Sequence, residues 1–251
     1  LWFDTQAQEA AIFYTSLFPN SKMHTSTILE GTPSGDAQMV SFELLGYSFM
    51  AISAGPLFTC NPSISFMVNF DPSQDTDART QMDSMWEKLM DGGKALMPLD
   101  SYAFSEHYGW VQDKYGVSWQ LILTKPEGEA RPRIVPSFLF VGDVCGKAKE
   151  ATDFYLSVFK HSKRGALATY PAGMEPDKEG SVMFSDIMLE DQWFVAMDSA
   201  HKHDFKFNEA ISMIVHCDTQ EEIDYYWDAL SADPEAGQCG WLKDAYGVSW
   251  Q

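Results

Sequence analysis

At 251 residues the chain can bury two cores of ordinary size, and its 45% hydrophobic content is normal for a globular protein. A formal net charge of −19, from 36 acidic and 17 basic residues, repels phosphate backbones and argues against a nucleic-acid partner. No apolar run reaches the length of a membrane span and no signal segment is visible, while Cys60, Cys145, Cys217 and Cys239 lack zinc-type or disulfide-framework spacing; a cytoplasmic protein with inert thiols is the expectation.

A short strand is predicted at residues 1–3. Thr5 and Gln8 then have the spacing of a capping box, and Ala10, Phe13, Tyr14, Leu17 and Phe18 form one helical stripe that Pro19-Asn20 ends. Alternation predicts strands at 39–45 and 47–52 around a turn at Gly46, and a further strand at 63–70. Met82, Met85, Trp86, Leu89 and Met90 mark a second amphipathic helix stopped by Gly92-Gly93, followed by strands at 94–99, 109–112 and 117–123. Residues 125–133, with Pro126, Gly128 and Pro132, read as a linker.

The chain then repeats itself. Gly109-Trp110-Val111-Gln112-Asp113-Lys114-Tyr115-Gly116-Val117-Ser118-Trp119-Gln120 recurs from Gly240 to Gln251 with nine of twelve positions identical. Phe13-Tyr14 matches Phe154-Tyr155, and Asn61 with Ile64-Ser65 matches Asn208 with Ile211-Ser212. Ile64 and Trp110 are 46 positions apart but Ile211 and Trp241 only 30, so the second copy lacks sixteen residues between its last helix and Trp241. Thr219 and Glu222 form a capping box for that helix, whose stripe is Ile223, Tyr226, Trp227 and Leu230. Both ends read as trimmed, since there is no initial Met and Gln251 falls inside a motif that copy one continues as Leu121-Ile122-Leu123. The expected organisation is α+β with domains at 1–124 and 134–251, each made of two βαβββ modules whose mixed sheet curls into a cup with helices on its convex face.

That order, the Phe-Tyr pairs and the Asp-x-x-Gly-x-x-x-Gln closures resemble the vicinal oxygen chelate superfamily of glyoxalases, bleomycin-resistance proteins and dioxygenases. Glu221-Glu222-Ile223-Asp224-Tyr225-Tyr226-Trp227 and the Tyr-Gly-Val-Ser-Trp-Gln endings are similar to its PhnB-like subfamily, often labelled 3-demethylubiquinone 3-methyltransferase. The resemblance implies a divalent metal held by His on the first and fifth strands and Glu on the eighth. Here the fifth-strand position holds Ser63 or Ala210 and the eighth Gln120 or Gln251, while the first-strand position of copy two falls near Pro136 or Ser137. Gln carries no charge and is a poorer ligand than Glu, so a cup without metal or other cofactor is expected, a metal-dependent glyoxalase or dioxygenase being the alternative. The methyltransferase label finds no Gly-rich strand-to-helix turn of the kind that holds S-adenosylmethionine.

Strand alternation assigns a cup lining of Ser63, Ser65, Met67, Ser118 and Gln120 in copy one and Ser212, Ile214, His216, Ser249 and Gln251 in copy two, with Phe3 and Phe140 on the floor. Such hydroxyls, amides, Met and Phe suit a small neutral or aromatic ligand, or else simply fill a core. His201-Lys202-His203-Asp204 beside Asp198 is the one local polar cluster able to ligate a metal, and Ala54-Gly55 is expected to replace Asp198-Ser199 in copy one. Glu106-His107 reads as an exposed loop pair, and Asp113 and Asp244 as turn-forming carboxylates. The two copies are expected to pair as an intrachain pseudo-dimer, with a homodimer optional.

Overall fold

The structure is a computed structural model that describes residues 1–32, 35–125 and 129–251. Pro126 and Gly128 of the expected linker lie outside the described residues. The chain divides into two compact units, Leu1–Val135 and Pro136–Gln251. No helix among the described residues is long and apolar enough to cross a membrane.

The first unit runs β1 (Trp2–Phe3), α1 (Ala7–Leu17), β2 (Lys22–Thr32), β3 (Gly35–Leu44), β4 (Tyr47–Ser53), then β5 (Ile64–Phe70), α2 (Ala78–Met90), β6 (Lys94–Tyr102), β7 (Ser105–Gln112) and β8 (Ser118–Leu123). Its strands order as β1-β4-β3-β2 and β5-β8-β7-β6, with the first strand of each βαβββ module lying parallel to the last. This is the α+β, glyoxalase-like arrangement expected from the sequence. Strand β2 was not predicted. Almost every residue in it is exposed, so the alternation that marks a strand by burial is missing from its sequence.

Local chemistry sets the joints. Leu45 and Gly46 both have positive φ, 52° and 84°, which is the twist a two-residue hairpin between β3 and β4 requires. Helix α1 begins one turn-position later than the Thr5–Gln8 pattern predicts. Gln6 is its N-cap without a side-chain bond, and Thr5 and Gln8 form no capping box. The cap comes instead from the sheet, where Ser53 Oγ accepts the Ala7 N–H at 3.0 Å. Tyr14 of this helix packs on Phe42 and Trp119, Phe18 just past its end packs on Trp119 too, and Leu17 is buried.

The second unit runs β9 (Ile134–Phe140), α3 (Ala148–Val158), β10 (Ser162–Thr169), β11 (Val182–Leu189), β12 (Gln192–Asp198), β13 (Ser212–Met213), α4 (Gln220–Leu230), β14 (Leu242–Lys243) and β15 (Ser249–Trp250). Its first module repeats the order as β9-β12-β11-β10, but its second is reduced to β13-β15-β14, with three strands of two residues each. The sixteen-residue deletion therefore removes a whole strand, and the expectation that copy two repeats copy one fails in this module. Helix α4 keeps its Thr219–Glu222 capping box. Its stripe does not bury as predicted: only Leu230 is buried, and Ile223 is 47% exposed. An amphipathic face needs a sheet to cover it, and the strands that cover α2 have no full counterpart here.

Candidate functional site

The repeated closing motif is explained by one carboxylate in each unit. Asp113 Oδ1 accepts the N–H groups of Tyr115 (2.8 Å) and Val117 (3.1 Å), and Oδ2 accepts Tyr14 OH (2.9 Å) and Trp119 Nε1 (2.8 Å). Asp244 receives Tyr246 and Val248 N–H on Oδ1 at 2.9 and 3.0 Å, and Tyr155 OH and Trp250 Nε1 on Oδ2 at 2.6 and 2.8 Å. The predicted turn bonds are present, and the tie to the first helix through the Phe-Tyr pair is new. Burial pushes both carboxyls upward, while the four donors pull each back. This hub orients the strand that follows it.

On that strand, Trp119 points to the helices while Ser118 and Gln120 point away, as strand parity requires. Gln120, only 2% exposed, is held at both ends of its amide. Tyr108 OH donates to Oε1 at 2.7 Å, and Nε2 donates to Ser65 Oγ at 2.7 Å. Ser118 Oγ accepts Trp110 Nε1 at 3.0 Å. Tyr102, Phe104 and Tyr108 form a ring cluster at the β6–β7 hairpin, where Phe104 is 57% exposed. Burial, and then Tyr102 nearby, push the Tyr108 phenol upward, so it stays a proton donor. Sequence reasoning had not put Tyr108 and Trp110 on this face, although counting back by twos from Gln112 places both there.

The second unit keeps part of this arrangement. Gln251 Nε2 donates to Ser212 Oγ at 2.6 Å, matching Gln120 and Ser65. Cys239 stands where Tyr108 does and is exposed. Ser249, the counterpart of Ser118, is buried, and its Oγ has no hydrogen-bond partner among the described residues.

Several predicted site residues fall elsewhere. Phe3 and Phe140 do not line the concave face: Phe3 packs edge-on to Tyr115, and Phe140 packs on Phe207 and Tyr246, on the side where Tyr155 of α3 meets Phe138. Ser63 and Ala210 precede their strands in turns whose N–H groups donate to Asn61 Oδ1 and Asn208 Oδ1, which accounts for the repeated Asn. Met67 pairs with Gln120 in register and is buried. His216 lies beyond β13 and is exposed. His107 is not in an exposed loop; it is buried on β7 and bonds Asp83 of α2 through Nε2, with Arg79 at its Nδ1.

The Asp198 neighbourhood is a cap. Sheet register pairs Phe3 with Ser53 and Phe140 with Asp198, so Ser53, not Ala54, is the counterpart of Asp198. Asp198 Oδ1 accepts Gly146 and Ala148 N–H at the start of α3, and Oδ2 accepts Val182 N–H. His203 Nε2 lies 2.9 Å from Ser199 Oγ, and Asp177 accepts Ala200 N–H. Among the described residues, no three His, Cys, Asp or Glu side chains are grouped so as to hold a metal. Cys60 is buried and its thiol pushed up to about 12, which makes it no nucleophile at neutral pH. The donors around Gln120 are an amide, two hydroxyls, a phenol and an indole. All are neutral, and they do not fit a divalent cation.

Parallel first and last strands in each module, helices on one face and an Asp hub under the closing strand define a protein of the glyoxalase-type vicinal oxygen chelate fold. Zea mays glyoxalase I matches over 99% of this chain and 89% of its own, at 10% identity and a TM-score of 0.58. A candidate dioxygenase from Bacillus subtilis subsp. subtilis str. 168 matches over 99% of this chain and 81% of its own, at 9% identity and TM-score 0.57. The family model described as 3-demethylubiquinone-9 3-methyltransferase matches residues 1–122 and again 132–251, and the chain belongs to that family, in two repeats. The Bacillus cereus PhnB protein, a candidate member by its description, is 36% identical over 49% of this chain and 95% of its own, with a TM-score of 0.43. No curated protein gives a significant match.

Proposed function

We propose that this chain is a small-molecule binding protein that works without a metal, taking neutral, aromatic ligands on the Gln120 and Gln251 faces. The observation that carries this reading is the Gln120 amide, held between a phenol donor and a serine acceptor at the position where the superfamily's enzymes place a metal-binding carboxylate. Neutral hydrogen-bonding groups among rings recognise ligand shape and donor pattern, and they add no Lewis acid. The repeated Gln–Ser pair in both units supports the same reading. The family's description names a demethylubiquinone, a planar ring with oxygen substituents, which places quinols among the ligands to try.

The test is elemental analysis of protein purified without chelator, alongside a thermal-shift screen of phenols, indoles and quinols. We expect metal well below one equivalent and a raised midpoint with at least one ring compound. Stoichiometric Fe, Mn, Zn or Ni that is lost in Gln120→Ala would overturn the reading.

A further inference from the structure

The two units treat one face differently. In the first, Ser118 Oγ takes the Trp110 indole N–H and Gln120 takes the Tyr108 phenol, so the protein's own rings occupy the hydrogen-bonding positions. In the second, the deletion moves the hairpin turn to Cys239 and Gly240, whose φ values are 54° and 82°, with Gln238 and Trp241 closing it. Trp110 lies in mid-strand, paired with Met97 and Gln120, whereas Trp241 sits at the corner of the turn. Its indole does not reach Ser249 Oγ, which is left 1% exposed and without a partner. Cys239 brings no phenol to Gln251.

A buried hydroxyl without a partner costs free energy, and native proteins leave few of them. The same side has one exposed apolar residue. Pairing continues past β13, with Gln251 N–H donating to Met213 O and Val215 N–H to Gln251 O, so Ile214 shares the face of Ser212 and is 39% exposed. We propose that the Ser249–Gln251 face of the second unit is a ligand site entered past Ile214, with the Ser249 hydroxyl at its closed end, and that it takes a planar aromatic molecule whose ring N–H or O–H donates to Ser249 Oγ as Trp110 does to Ser118. The first unit shows the ligand's chemistry in its own side chains. This rests on the metal-free binding reading above and narrows it to one unit and one donor pattern.

The experiment compares indole with 1-methylindole, which has the same ring without the N–H, by calorimetry on the full chain. Indole should bind at least about tenfold more tightly, the discrimination expected of one satisfied buried hydrogen bond. That preference should vanish in Ser249→Ala and persist in Ser118→Ala. Ser249→Ala removes a hydroxyl with no partner, so its thermal midpoint should not fall; Ser249→Gly serves as a second variant. Equal affinity for the two probes, no binding of indole, or a preference that follows Ser118 would overturn this inference. Metal stoichiometry is read separately, so the broader reading fails on different data.

Discussion

The two units share a carboxylate hub, a Gln–Ser pair and a closing sequence, yet they spend the same residues on different tasks. Gly109 and Gly240 show this most clearly. A side chain at Gly109 would put its Cβ 2.5 Å from Trp86 Cζ3 and 3.1 Å from Leu99 Cα, so glycine is needed there for close approach of α2 and β6. At Gly240 nothing lies within 4 Å, and glycine is needed for a φ of +82°. An identical motif in one sequence therefore does not mean an identical environment. What the repeat preserves throughout is the hub, and what it lets vary is the strand beside it.

The largest effect should come from the part the units share. Asp113→Ala or Asp244→Ala strands four donors, three of them buried, and each should cost about 3 kcal/mol or more. Asp113→Asn should rescue only part of this, because its amide N–H would face the Trp119 indole N–H, which can only donate. Urea unfolding followed by tryptophan fluorescence measures both, and a loss below about 1 kcal/mol would show that the hub is not what holds the closing strand to the first helix.

A middle-sized effect separates the units. Gly109→Ala should cost roughly 1–3 kcal/mol by overpacking against Trp86 and the β6 backbone. Gly240→Ala should cost about 1 kcal/mol, from the strained left-handed backbone alone. Gly109→Ala should also lose part of its penalty in a Trp86→Leu background, whereas Gly240→Ala should be indifferent to Trp227→Leu. Additivity at both sites would break the contrast drawn above.

How much of this could be read from the sequence follows the same division. The repeat, the α+β order and the two-helix stripes of the first unit were legible because each rests on periodicity that burial imposes. The parity that puts Ser65, Ser118 and Gln120 on one face was legible for the same reason. Strand β2 was not, because an exposed strand has no apolar alternation to betray it. The Thr5–Gln8 box misled because Ser53, distant in sequence, supplies that cap. The α4 stripe misled because periodicity assumes a full partner sheet, which the deletion removes. Phe3 and Phe140 were misassigned because a two-residue or fully buried strand gives no pattern from which to choose a face.

The smallest expected effect belongs to the loop that only the second unit carries around His203. Burial, and then the charge of His201, hold the His203 imidazole below its ordinary value of 6.5, with Asp177 and Asp204 opposing. The folded state therefore binds this proton less tightly than the unfolded chain. Its contribution to stability is complete above about pH 6.5 and erodes as the pH falls below that value, where the unfolded chain takes up the proton first. Protonation also removes the acceptor that Nε2 can offer the Ser199 hydroxyl. Amide exchange at residues 199–207 should therefore quicken between pH 7 and pH 5.5 once the intrinsic pH dependence of exchange is removed, and the turn at Ser53–Gly55 in the first unit should not follow. In His203→Gln, which keeps an acceptor but cannot titrate in this range, the pH effect should disappear. If the acceleration persists in that variant, its source is another group in the loop.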